Sequence, residues 1–310
     1  MDHFADRLIE RALQLNSRII VGLDPEVERF PGVMRQRLRA EPCEERLEET
    51  LFTFNRLIIE ATASVAVGYK PQAAFYEQYG TAGHVALRRT LMLLRDLHLP
   101  IILDGKRNDV AHTAKAYATA WLAPDHPLFG TPNPWRADAM TINGYLGADG
   151  VTPFLQTNPR AGLFILAKTS NPSSGDLQDL ELSSGGSVAD RMARLAAQWG
   201  QDSIGSHGYS NVGIVVGATY PQTAARLRQV APHALFLMPG IGAQGGSLEA
   251  IAVAAGSGGV GAYAASSRGV IYPYQPEELS GSDWPALLSQ RVAEAAETLR
   301  AAVMGVLTRS

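Results

Sequence analysis

A single cysteine, Cys43, occurs in the 310 residues, so an intramolecular disulfide is excluded. It sits between Pro42 and the acidic pair Glu44-Glu45, neighbours that do not lower a thiol pKa, and it reads as inert. Long apolar runs are also missing: none approaches the ~18 residues of a membrane span. Met1 to Arg7 begins an amphipathic helix without the apolar stretch of a signal peptide. Charge of one sign is not in excess either. A formal net charge of −3 gives no electrostatic reason to expect a nucleic acid or membrane partner. These absences predict a cytoplasmic protein. With 46% hydrophobic and 18% charged residues, the composition excludes a mostly disordered chain.

Chemical motifs are missing as well. The seven histidines show neither H-x-H nor H-E-x-x-H spacing, and the cysteine is alone, so a transition-metal site is not expected. His112 lies nearest to the charged residues discussed below, and reads as solvating the start of a helix. There is no G-x-S-x-G elbow, no Walker loop and no G-x-G-x-x-G fingerprint opening a first strand–helix unit. Support for nucleotide hydrolysis and hydride transfer falls accordingly.

What is present is a recurring alternation. Eight strand-like runs, Arg18–Asp24, Val65–Lys70, Pro100–Lys106, Ala137–Asn143, Leu163–Thr169, Asn211–Ala218, Ala234–Gly240 and Gly259–Ser266, each close on polar or glycine-rich residues. Most are apolar without alternation, the pattern of parallel strands buried on both faces. Between them lie helical stripes such as Leu47, Leu51, Phe54, Ile58 and Leu87, Leu91, Leu94, Leu97. Helical periodicity returns over 193–199, 222–230, 248–255 and 291–306. Eight strand–helix units in series predict an α/β chain folded as a (β/α)8 TIM barrel, with a doubly wound open sheet as the alternative. With no obvious linker, residues 1–310 read as one domain with an N-terminal helix and extended loops. The proline-rich stretch 123–136 is expected to wrap the surface. An insertion near 171–210, with Ser-Ser-Gly-Gly-Ser at 183–187, could form a lid or a partner-contacting flap.

In such a barrel the active site lies at the C-terminal strand ends. Strand one ends in Asp24, strand two in Lys70, and strand three in Asp104-Gly-Lys106, with Asp109 just beyond. Asp104 and Lys106 are two apart, so an extended chain would project both from one face. A single charge at a strand end is commonly a solvated rim residue. Alternating acid and base on three consecutive strands is a stronger signal. At the far side, strand seven runs into Pro239-Gly-Ile-Gly-Ala-Gln-Gly-Gly246 and strand eight into Ser266-Ser-Arg268-Gly269. Loops after strands seven and eight commonly bind phosphate through free main-chain N–H groups, and Arg268 can grip an anion bidentately.

The order Asp24, Lys70, Asp104-x-Lys106-x-x-Asp109, the glycine-rich turn and Ser-Ser-Arg-Gly resembles the orotidine 5′-phosphate decarboxylase family over about residues 18–272. Asp-Gly-Lys-Arg-Asn-Asp and Lys168-Thr-Ser-Asn-Pro-Ser173 are similar to its longer bacterial branch (type 2). D-x-K-x-x-D is shared with metal-dependent sugar-phosphate decarboxylases; Lys70 is the discriminator, since those relatives are expected to carry a carboxylate there. The resemblance implies cofactor-free decarboxylation of orotidine 5′-phosphate to UMP and CO2 in de novo pyrimidine biosynthesis. It implies a charged tetrad of Lys70, Asp104, Lys106 and Asp109, with Lys106 stabilising and protonating the C6 carbanion. Asp24 and Thr113 would hold ribose hydroxyls, and Ser170, or Thr169 beside it, would meet the pyrimidine edge. Gln244, Gly245 and Arg268 would bind the phosphate. It further implies a homodimer with composite sites, Asp109 and Thr113 coming from the neighbour. A sugar-phosphate decarboxylase of the same superfamily, a Schiff-base aldolase or a non-catalytic phospho-ligand barrel stands as the alternative.

Overall fold

The computed structural model describes residues 3–241 and 246–309. Eight parallel strands carry the fold: β1 Ile19–Leu23, β2 Ala66–Pro71, β3 Ile102–Arg107, β4 Ala139–Ile142, β5 Gly162–Lys168, β6 Ser210–Val216, β7 Ala234–Pro239 and β8 Ala262–Ser266. One lies in each run expected from the sequence. The sheet runs β2-β1-β8-β7-β6-β5-β4-β3, and parallel bridges Tyr69–Ile101 and Gln72–Asp104 join its two edges. The result is a closed single-domain (β/α)8 barrel, with no edge left to pair with another chain. The strands can be apolar throughout because both their faces are buried.

Two cores result. Outside the barrel, the helices Glu44–Thr62, Gly80–Asp96, Val188–Gly200, Pro221–Val230 and Trp284–Leu307 lay apolar stripes on the strands. The stripe on Gly80–Asp96 stops at Leu94; Leu97 is the exposed residue that ends the helix. Inside, Ile20, Val67, Ile102, Phe164, Leu235 and Tyr263 pack with Phe4, Leu8 and Ile9 of the N-terminal helix Phe4–Gln14. That helix stoppers the N-terminal end of the barrel, where Phe4 meets Phe164 edge-on at 6.1 Å. A Cβ at Gly162 would sit 2.2 Å from the Phe4 ring, so glycine is what lets the stopper seat.

The long connections have distinct forms. The proline-rich stretch folds back on itself through an Asp125–Pro132 bridge, and Asn133 ties it down by donating to the carbonyls of Thr119, Ala120 and Ala123. Between β5 and β6, residues 169–187 stay at the rim and turn through a Glu181–Ser187 bridge. The chain then enters the helix Val188–Gly200 through a capping box between Ser187 and Asp190.

Candidate active site

A cavity of about 620 Å³ opens at the C-terminal strand ends. Its wall includes Asp24, Lys70, Asp104, Lys106, Thr169, Ser170 and Arg268. The charges from strands one to three and the loops of strands seven and eight therefore face one space, as the barrel topology requires.

Asp104 is the hub. Its Oδ2 accepts from Lys70 Nζ at 2.6 Å and from Gln72 Nε2 at 3.0 Å. Its Oδ1 accepts from Lys106 Nζ at 2.6 Å and from Thr141 Oγ1 at 2.8 Å. Burial alone would push this carboxyl up, but the two ammoniums outweigh it and hold Asp104 well below the usual carboxylate range. Burial likewise works against the Lys70 ammonium, and Asp104 and Asp24 overcome it, leaving the Lys70 pKa raised. Lys106 differs from Lys70 in one respect that decides its role. Its side chain is 44% exposed against 7% for Lys70, so one face of its ammonium turns to the cavity.

The pairing of Asp104 with Lys106 arises differently from the extended-chain expectation. Lys106 has φ 45°, in the left-handed region, and the β3–β4 register jumps from Leu103–Met140 to Arg107–Ile142. Two extra residues are thus looped out of β3. The Lys106 N–H, removed from the ladder, donates to Thr141 Oγ1 at 3.0 Å. A bulge of this kind re-aims a side chain, and a non-glycine residue held at positive φ stores strain where the surroundings over-determine it.

Asp24 has the opposite electrostatic character. Burial pushes its carboxyl up, and the attraction of Lys70 and the hydrogen bond from Ser267 do not offset it. Its Oδ1 is buried without a hydrogen-bond partner, an acceptor that a ligand hydroxyl would satisfy. A Cβ on Gly22 would collide with Ser267 Oγ at 1.8 Å, so glycine lets Ser267 approach the end of β1.

At the other end, Pro239, Gly240, Ile241, Ser267, Arg268 and Gly269 line the cavity. Gly240 has φ 98°, and the turn closes with the Gly246 N–H on its carbonyl at 3.0 Å. Gln244 and Gly245 lie outside the described residues. Asp109 and Thr113 do not line the cavity of their own chain. Asp109 Oδ1 accepts from its neighbour Val110 N–H at 2.9 Å, and Thr113 sits in the first turn of the helix Ala111–Leu122. His112 lies away from the cavity, on a separate groove with Lys115 and Trp135.

Sequence reasoning missed Gln72 and Thr141. The first was within reach: Gln72 is two beyond Lys70, the spacing that shares a strand face. Thr141 is the one polar residue within the four-residue β4. Among the described residues, no group of three or more His, Cys, Asp or Glu side chains is placed to hold a metal ion. Nor, among those residues, is any helix long and apolar enough to cross a membrane.

The sequence profile of the orotidine 5′-phosphate decarboxylase/HUMPS family matches residues 17–279. The chain is 41% identical to the orotidine 5′-phosphate decarboxylase of Caldicellulosiruptor bescii over 280 residues, 89% of this chain and 91% of the relative. It is 40% identical to that of Thermomicrobium roseum over 306 residues, 97% and 98% of the two chains. The solved structure of Leishmania donovani OMP decarboxylase superposes with a TM-score of 0.71 at 32% identity, covering 99% of this chain and 100% of that one.

Proposed function

Because this chain belongs to the orotidine 5′-phosphate decarboxylase/HUMPS family, we propose that its rim cavity holds orotidine 5′-phosphate with C6 against Lys106 and the phosphate against Arg268. The reaction is decarboxylation of that nucleotide to UMP and CO2, a step of pyrimidine biosynthesis. One observation carries the assignment of roles: an ionised carboxylate, Asp104, clamped between a buried ammonium and one that faces the cavity.

The chemistry explains the arrangement. When the C6–carboxylate bond breaks, CO2 leaves and the electron pair stays on C6, in the ring plane and orthogonal to the π system. The ring is a poor sink for it. A cation already in place, with little water to reorganise, is what lowers such a barrier. Lys106 supplies that cation and then its proton, forming the C6–H bond; the resulting amine recovers a proton from solvent. Asp104 keeps Lys106 aimed, and Lys70 with Gln72 and Thr141 keeps Asp104 aimed. Asp24 takes a ribose hydroxyl on its orphaned oxygen. Gln244, Gly245 and Arg268 take the phosphate, whose remote binding energy closes the loops on the reacting ring. Neither a metal nor an organic cofactor enters the mechanism.

The tetrad is completed across a homodimer. Asp109 and Thr113 stand outside their own cavity, next to exposed apolar Val110 and the exposed Tyr145 and Leu146 of the turn that packs on Asn108 and Asp109. An apolar patch around two polar residues fits a two-fold contact that presents them to the partner's cavity, Asp109 to Lys106 and Thr113 to the ribose.

One experiment tests both parts. Orotidine 5′-phosphate absorbance is followed after exhaustive chelation, first for the wild type and then for two inactive variants, Lys106→Ala and Asp109→Asn, unfolded together and refolded. The wild type keeps full activity. The equal mixture recovers roughly a quarter of it, because about half the dimers are mixed and each of these has one intact site of two. Loss of activity on chelation moves the protein to metal-dependent chemistry. Mixed dimers without recovery place Asp109 outside the partner's site.

A further inference from the structure

One buried charge has no part in the mechanism above. Lys168, the last residue of β5, has a side chain only 1% exposed and does not line the cavity, whereas the next two residues, Thr169 and Ser170, do. Its Nζ donates to both oxygens of Asp179 at 2.7 Å and lies 4.5 Å from the centre of the Tyr220 ring. Three segments meet on that one ammonium: the end of β5, the rim loop that follows it, and the turn after β6. The Ser174 hydroxyl, 3.3 Å from the Tyr220 hydroxyl, joins the loop to the same turn.

The loop is fixed at a second point, next to the cavity. Gln178 accepts from the Thr169 N–H through Oε1 and donates from Nε2 to Thr169 Oγ1, both at 2.8 Å. The Thr169 hydroxyl in turn gives its one proton to Asn171 Oδ1 at 2.6 Å. Thr169 is therefore engaged in shaping the loop, which favours Ser170 over Thr169 as the residue that meets the pyrimidine edge. The opposite side of Ser170 is set by Gly217. The Gly217 N–H donates to the Lys168 carbonyl at 2.7 Å, and a Cβ there would come within 2.9 Å of the Ser170 main chain.

Packing alone does not call for a lysine here. An apolar residue of the same length would fill the space without the cost of desolvating a charge. A paired ammonium adds direction, because its partner must sit at one place for the burial to be tolerable. Asp179 is 54% exposed, so the pair is anchored on the inside and reaches outward to hold the loop.

We propose that Lys168, Asp179 and Gln178 form a clamp that sets the position of Ser170 over the base, making Lys168 a positioning residue for the pyrimidine and not for the phosphate. The proposal rests on the reading that Ser170 meets the pyrimidine edge. It predicts a split between ligands that share the phosphate but differ in the base.

The test compares binding of UMP and of ribose 5-phosphate, with steady-state kinetics, in the full-length wild type, Lys168→Met and Gln178→Leu. Both variants should weaken UMP binding about tenfold, the worth of one misplaced hydrogen bond, and raise KM in parallel. Ribose 5-phosphate binding should change by less than about twofold, as for a substitution that removes no contact to it. Gln178→Leu leaves the buried lysine paired, so it decides the matter if Lys168→Met does not fold. UMP bound as tightly by Gln178→Leu as by the wild type, or both ligands weakened alike, overturns the clamp while wild-type turnover upholds the cavity. A wild type that neither binds UMP nor decarboxylates the nucleotide overturns both.

Discussion

The two ends of the barrel bury charge in opposite ways. At the stoppered end, Arg18 donates to the carbonyls of Gly259, Ala12 and Ser17 at 2.6–2.8 Å. Arg228 reaches five carbonyls, including Ala234 and Gly261, and stacks on Phe236 at 3.9 Å. These cations end on main chain and hold strand starts together. At the open end, cations end on a carboxylate that two of them share, and Lys106 keeps a face for the cavity. Burial of charge is thus no mark of function in this molecule. What separates the ends is whether hydrogen-bonding capacity is consumed inside the protein or left pointing into space.

Substituting across that divide gives the largest expected effect at the open end. Lys106→Ala removes both a cation at the developing carbanion and the proton that quenches it. Each is worth about 10²-fold at least, so turnover should fall about 10⁴-fold or more while UMP still binds. Single-turnover kinetics beside UMP titration checks this. A variant that loses UMP binding in the same proportion would make Lys106 a ligand-binding residue only.

The stoppered end should respond in the other currency. Arg18→Met removes the donors from three carbonyls, of which Ala12 keeps the Ser17 N–H and half-buried Gly259 can turn to water, and urea denaturation should register a loss of about 2 kcal/mol. The folded fraction should keep its kcat/KM. A changed KM would mean that the two ends are coupled through the strands, and that the contrast between them is not one of structure against function.

How much of this contrast was readable in the sequence follows from its physics. Eight parallel strands showed because two-sided burial forces continuous apolar runs, and the acid–base alternation showed because strand ends are punctuated by it. Asp104 and Lys106 were paired for a reason that fails: the chain is not extended at Lys106, and the two meet through a bulge. A bulge is an outcome of pairing with a neighbouring strand, and one strand's sequence does not contain it. Thr141 was hidden for a related reason, since a lone threonine in a buried strand reads as ordinary core until its partner across the sheet is known. The Lys168–Asp179 pair spans 11 residues and a turn, a distance at which no strand or helix period links two side chains.

Within the open end itself the same comparison can be made between two carboxylates, and here the expected effect is smallest. Asp104 is held below its ordinary range by the two lysines, whereas burial raises Asp24. Their contributions to stability therefore have opposite signs in pH. Asp104 stabilises the fold above the unfolded carboxylate value of about 3.9, and that contribution is lost as pH falls through its lowered folded value. Asp24 weighs against the fold once pH climbs from about 3.9 past its raised folded value, because the folded protein then carries a buried anion with an orphaned oxygen. Asp24→Asn should accordingly stabilise the ligand-free protein at neutral pH by about 1 kcal/mol, the lower end of the cost of a buried group left unpaired. That gain should fade on acidification below about pH 4, where the wild-type carboxyl is protonated folded or unfolded. The same substitution should weaken UMP, because the anionic acceptor for the ribose is gone. Denaturation curves at a series of pH values, with and without UMP, separate the two effects. A variant less stable than wild type at neutral pH would show that Asp24 is held in place by Lys70 as a structural ion pair, like the charges at the stoppered end, and not kept under strain for a ligand.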